Sequence, residues 1–348
     1  MKVIKKLIIW TVIPISIELC AFMYVDKSYL SQSNVVEIVK VNDKIEEKPK
    51  LQNISISDKA KDIKVSYDGK YVSYEEDGSL KLLDFNSGDL INIEKDKNNL
   101  ISYYTWLPDR NRLYIAEKVT SNGGRPLIKM YSYDVDKKEK YEWVDNHENK
   151  TEIELQSKLS EVKEIAMSTL SSLAYIKIEN PDKKYSIYRI NVMTQLEKVK
   201  LKNTQVGKIG VTTTDDRLIY EDKKLNRLII EGYNNAKKPL DNLLFLGVDY
   251  DNLIYLGVKQ EEKISEILYG NVDEPIEKWS KVKLDKSTER EQLRVTLNGQ
   301  VYLDSSENHE LIDLKTNKKS TYEGKLVAIC ENSIAYLNNG KLYKVPVK

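Results

Sequence analysis

A chain of 348 residues with 55 Lys+Arg against 54 Asp+Glu carries a formal net charge of +1. That balance argues against nucleic acid as the main partner, because phosphate binding wants a clustered basic excess. Two cysteines, Cys20 and Cys330, exclude a disulfide scaffold, and 23 Tyr against 3 Phe suit half-buried pleated surfaces with one wet end.

Residues 1–6 form a basic tail with Lys2, Lys5 and Lys6. Residues 7–25 follow, mostly apolar, with Glu18 as the one charge and Pro14 as the one proline. At about 1.5 Å per residue such a helix nearly crosses the ~30 Å hydrocarbon core. The flanking lysines place the tail in the cytoplasm and Asp26 onward outside. A cleaved signal peptide is the rival, but Cys20 to Val25 offers no small-x-small cleavage site. A lipoprotein signal also fits poorly, since Leu19 and Glu18 precede Cys20. Glu18 either sits near the outer interface or marks an intramembrane contact. Residues 26–50 are polar, show no apolar period, and read as a tether.

The region 51–348 is dominated by one repeated pattern. Val65 to Asp84 reads as three short strands, with Asp68-Gly69 and Asp77-Gly78 as hairpin turns of type I′, which need positive φ at both central positions. Phe85 to Asp89 forms another turn before a fourth strand, Leu90 to Ile93. Four antiparallel strands in about forty residues make one propeller blade. Tyr74, Tyr114, Tyr175, Tyr220, Tyr255, Tyr302 and Tyr336 recur near a forty-residue period, each ending or centring an apolar second strand. Inner strands are predicted at 63–66, 101–106, 162–167, 206–211, 243–248, 293–295 and 326–330. Gly207, Gly210 and Gly247 relieve crowding where inner strands converge. Third strands are predicted at 80–84, 128–134, 185–191, 227–230, 266–270, 310–314 and 341–345. The last unit has only three strands, so the orphan stretch 51–56 is expected to complete it and remove an open edge. The fold class is therefore all-β: a seven-bladed propeller of four-stranded antiparallel blades, with six blades the rival count, preceded by one transmembrane helix.

Asp68 to Tyr74, followed by Gly78 to Asp84 and Ser87-Gly88, resembles the WD40-like repeat of TolB-type propellers and of the N-terminal propellers of the dipeptidyl peptidase IV family. The resemblance covers 61–93 and, less closely, 99–143. TolB carries an additional N-terminal domain and the peptidases a C-terminal hydrolase domain, and this chain has room for neither. The resemblance therefore implies a fold and a binding role rather than an activity.

No catalytic, metal or cofactor constellation is predicted. His147 lies in a polar loop and His309 at a strand start, neither within a ligand pair or a Cys/His cluster. No Gly-x-Ser-x-Gly elbow or phosphate loop occurs. Thr212 to Asp216 reads as a hairpin loop rather than a Ca²⁺ site, and Cys330 as a buried small hydrophobe. Two departures from the repeat stand out: a long second-to-third turn, 119–126, and a long connection, 145–160, in which 152–159 forms a helical turn or an added strand. Both loop types are expected on one face, which makes Asn122, Gly124, Arg125, Asn146, His147 and Glu148 the candidate binding residues. The function read from this is a non-enzymatic binding or assembly module of the cell envelope, anchored in the cell membrane with its bulk extracytoplasmic. Its partner is a protein or other envelope component. The alternatives are an envelope enzyme or accessory subunit with a channel-mouth site, and a ligand sensor acting through a membrane partner.

Overall fold

A computed structural model describes residues 52–347, apart from 97, 121–123, 146, 169 and 234–238, together with 10, 15, 16, 18, 19 and 21–24. The chain divides into two units, Met1–Lys48 and Pro49–Lys348. In the first, the described residues are helical, and no helix among the described residues is long and apolar enough to cross a membrane.

The second unit is a seven-bladed β-propeller. Blade 1 comprises β2 (Lys61–Val65), β3 (Tyr71–Glu76), β4 (Ser79–Asp84) and β5 (Leu90–Ile93). The first strands of blades 2 to 7 are Asn99–Trp106, Glu161–Ser168, Val206–Val211, Leu243–Val248, Leu293–Val295 and Lys325–Ile329. β1 (Gln52–Ser55) pairs antiparallel with Lys341–Pro346, in the register Asn53 to Tyr343 and Ile54 to Leu342. The fourth strand of blade 7 thus comes from the start of the propeller, and the ring closes through backbone hydrogen bonds.

Because the strands of each blade are antiparallel, turns alternate between two faces. First-to-second and third-to-fourth turns open on one face, called here face A. Second-to-third turns and blade-to-blade connections open on the other, face B. Among the described residues, seven apolar clusters lie between successive blades. One example joins Leu80, Leu82 and Ile93 of blade 1 to Tyr104, Trp106 and Leu113 of blade 2. Another joins Ile56 and Leu342 of blade 7 to Val72 and Leu83 of blade 1. Six of the seven repeat tyrosines are buried, and Tyr114, the half-buried one, meets Trp143 edge-on at 4.7 Å between ring centroids.

The two turns of blade 1 differ. Asp77 (φ 50) and Gly78 (φ 72) both have positive φ, as a type I′ turn requires, and open space surrounds Gly78. At the other turn only Gly69 has positive φ. Gly69 N–H donates to the Ser66 carbonyl, and the Asp68 carboxylate accepts from Ser66 Oγ and Lys70 N–H. That loop is wider than the predicted two-residue turn because the Asp68 side chain holds it.

Candidate functional site

The largest departure from the repeat is in blade 2, and it differs from the predicted long connection. The fourth strand starts at Glu139–Glu142, paired with Tyr131–Asp134 of the third strand. It leaves that edge at Trp143, whose N–H still reaches the Met130 carbonyl. An excursion follows, closed by a Val144–Lys150 bridge and by Thr151 N–H on the Trp143 carbonyl. The strand then resumes at Glu152–Glu154 along Leu127–Lys129 of the same edge. The resumed segment is an added strand, one of the two predicted options. Ile153 and Leu155 bury into the cluster between blades 2 and 3. Such burial contributes roughly 1.5–3 kcal/mol per side chain, which is why the strand returns after its interruption.

This placement separates the predicted site residues. Arg125, on the second-to-third turn, pairs with Glu154 at 3.2 Å on face B, both strongly exposed, with exposed Gly124 beside it. His147 and Glu148 sit instead on the tip of the excursion, which leaves the strand's middle. There the Asp145 carboxylate accepts from the N–H groups of His147 and Asn149, and Glu148 takes φ 63. The excursion touches the third-to-fourth turn of blade 3, which belongs to face A: Thr194 Oγ1 donates to the Val144 carbonyl, and Thr151 Oγ1 to the Thr194 carbonyl. The expectation that both insertions stand over one face therefore holds for Arg125 and the start of the blade 2–3 connection, and not for His147 and Glu148. The reason is that the extra residues lie within an outer strand and not between blades. Asn122 and Asn146 lie outside the described residues.

What surrounds the excursion is apolar. Tyr141, Val144, Val192, Met193 and Leu196 are exposed at this edge of blades 2 and 3. Tyr141, Val144, Val192 and Thr194 line a cleft of about 270 Å³, floored by Trp143, Leu173 and Ile190. Arg112–Asp134 at 2.6 Å and Lys150–Glu142 at 3.0 Å supply a charged rim. Sequence reasoning singled out the polar tip of this loop and missed the apolar neighbours. Val192-Met193, two apolar residues at a turn, was the available signal.

Other candidate groups are occupied. Asp216 takes hydrogen bonds from Tyr175 (3.0 Å) and Arg189, and Asp215 binds Arg217 and the Asn252 amide (2.9 Å), so Thr212 to Asp216 is a turn that ties blades 3, 4 and 5 together. His147 is exposed, and exposed His309 packs edge-on against Tyr322 at 5.7 Å with φ 51. Cys330 is buried, and burial pushes its thiol up to about 11.

A second recess lies at the ring's centre, about 510 Å³ in volume. The inner strands of blades 1, 2, 6 and 7 line it, together with Tyr250 of blade 5. Deeper in the ring, buried charges join blades 3 to 6. Lys177 Nζ meets Glu164 at 2.6 Å and the Gly207 carbonyl at 2.6 Å. Buried Glu221 binds Arg290 at 2.7 Å and accepts from Phe245 N–H at 2.9 Å. Lys208 Nζ donates to the Leu246 carbonyl at 2.7 Å. Burial, helped by the nearby Arg290 and Arg294 guanidiniums, lowers the Lys208 ammonium to about 8, with Glu164 and Glu221 opposing.

No protein-family model matches the chain. No curated protein matches it. Solved structures do. An oligogalacturonate lyase from Vibrio parahaemolyticus aligns at a TM-score of 0.53 with 8% identity, over 87% of this chain and 96% of that one. The β-propeller domain of Cps50 (Swd1) from Myceliophteria thermophila gives 0.51 with 12% identity, over 85% and 100%. A chain of the mitotic checkpoint complex gives 0.50 with 11% identity, over 90% and 99%. At such identities the likeness concerns the fold alone, and the chain is a seven-bladed, all-β propeller of four-stranded antiparallel blades.

Proposed function

We propose that this protein is a membrane-anchored, extracytoplasmic binding or assembly module of the cell envelope, and that it docks a protein partner on the outer edge of blades 2 and 3. The observation that carries the docking is the exposed apolar group Tyr141, Val144, Val192 and Met193, rimmed by ion pairs. Clustered exposed apolar side chains with a polar rim mark interaction surfaces. The lysines ahead of the apolar stretch 7–25 support the anchor and its orientation. The resemblance to TolB-type repeats agrees with a binding role. The same ring serves a lyase in Vibrio parahaemolyticus and the propeller of Cps50, so the fold favours neither catalysis nor binding. Binding is the reading we adopt, because the candidate histidines and aspartates are either solvated or held by neighbours.

The test is cross-linked capture from native membranes with the full chain and with Val144→Ser, Val192→Ser and Met193→Ser combined. The triple variant should keep its melting temperature and lose the main partner. Equal capture by both proteins would overturn the docking edge. For the anchor, reporter fusions after residue 30 should be active only outside the cytoplasm.

A further inference from the structure

The chain has eight arginines, all among the described residues. Seven are ion-paired with a carboxylate: Arg110, Arg112, Arg125, Arg189, Arg217, Arg227 and Arg290. Arg294 has no carboxylate partner among the described residues. It is exposed, yet it lies on the inner strand Leu293–Val295 of blade 6 and lines the central recess. The same hairpin brings Asn298 and Gln300 into that wall. Neither side-chain amide has a hydrogen-bond partner among the described residues. The other cation of the recess, Lys64, is occupied: its ammonium binds Asp62 at 2.8 Å and the Tyr104 carbonyl at 2.6 Å, over the rings of Tyr103 and Tyr104.

We propose that the central recess binds a carboxylate carried on an apolar body, with the Arg294 guanidinium as its two-point partner and the Asn298 and Gln300 amides as further donors. A guanidinium offers a planar fork that matches a carboxylate, and a recess walled by protein strengthens that pairing over bulk water. The apolar body follows from the half-buried aliphatic side chains in the rest of the wall, Ile63, Val65, Val295, Leu297, Val327 and Ile329. Exposed Glu331 also lines the recess and disfavours ligands with a second negative charge. This site is separate from the docking edge of blades 2 and 3 and stands or falls independently of it.

The carboxylate can belong to a small acid or to the end of a peptide chain, and two probes separate these. Calorimetric titration of the detergent-solubilised full chain with 3-phenylpropionate, and with N-acetyl-Ala-Leu-Phe as free acid and as C-terminal amide, should give saturable binding of at least one acid and none of the amide. Binding of both acids assigns a small-acid site, and binding of the peptide acid alone a chain-terminus site. Arg294→Gln should weaken the acid about tenfold or more and Arg294→Lys less, with Arg227→Gln, on the outer part of blade 4, as the unaffected control. Melting curves establish that each variant is folded, and an Asn298→Ala, Gln300→Ala double variant, expected to weaken the acid several-fold, replaces Arg294→Gln if that variant unfolds. The proposal is overturned if neither acid binds up to about 10 mM, if amide and acid bind alike, or if a folded Arg294→Gln protein binds as tightly as wild type.

Discussion

The outer strand of blade 2 breaks off at Trp143, wanders, and resumes at Glu152 with its pairing to the third strand intact. The inner strands of blades 4 and 5 depart from regular pairing only by a one-residue bulge each, between Val206 and Ile209 and between Phe245 and Gly247, and added side-chain atoms there meet their neighbours at once. A Cβ on Gly210 would overlap the Phe245 ring, and one on Gly207 would overlap the Glu221 carboxylate. The two regions come from one repeat and differ in what surrounds them. An outer strand has a neighbour on one side only, so extra residues spill into solvent. An inner strand is confined by its own blade and by the blades beside it. A long insertion is tolerated at the rim, whereas at the axis the chain departs from the ladder by single residues and packing is tight.

That contrast can be broken most severely at the closure. Deleting residues 1–58 removes the strand that pairs with Lys341–Pro346 and exposes the edge of blade 7. The expected result is aggregation or loss of the cooperative melt, whereas deleting 1–45 should leave a soluble folded domain. Equal melting temperatures for the two truncations would contradict the closure.

Next in size is the axis itself. Glu221→Ala leaves the Arg290 guanidinium without its buried partner and frees Phe245 N–H, and should cost about 3–5 kcal/mol in denaturant unfolding. Gly210→Ala should cost about 1–3 kcal/mol by overpacking against Phe245.

Lys208 gives a pH signature. Its folded value of about 8 lies below that of an unfolded lysine, about 10.4, so the unfolded chain binds the proton more tightly. The charged form is penalised in the fold, and stability from this group rises as pH goes from about 8 to about 10.4. Burial raises Tyr103 to about 12, and such tyrosines act oppositely above pH ~10. A comparison with Lys208→Met isolates the lysine. Across that window the balance should move by roughly 2 kcal/mol in favour of wild type. A constant gap between the two proteins would remove the argument.

The smallest effect belongs to the rim. Replacing 144–150 by a two-residue Asn-Gly link should change stability by no more than about 0.5 kcal/mol, because its side chains are mostly exposed. A loss above about 2 kcal/mol would show that the excursion supports the blade.

Most of the fold was legible because strand alternation and turn residues are local. The predicted inner strand 206–211 and third strand 227–230 coincide with those observed, and Asp77-Gly78 has the dihedral angles its residue types demand. Asp68-Gly69 was misread because a side chain 66–70 network, not the dipeptide, sets that loop. At the candidate site, the sequence marked the right segment of blade 2 but grouped Arg125 with His147, and it passed over Val192 and Met193.

What the sequence determined by itself was the repeat: seven tyrosine-bearing units, their strand order, and an orphan strand matched to an incomplete last unit. Periodicity carries that information because each blade is made by neighbours in the chain. What only the tertiary structure decided was which side chains are left over. Arg294 looks like any other arginine in the sequence, and Val192 like any turn residue. Among the described residues, one is left without a carboxylate in the wall of the central recess and the other stays exposed only once blades far apart in sequence are brought around one axis, since pairing and burial are properties of the closed ring.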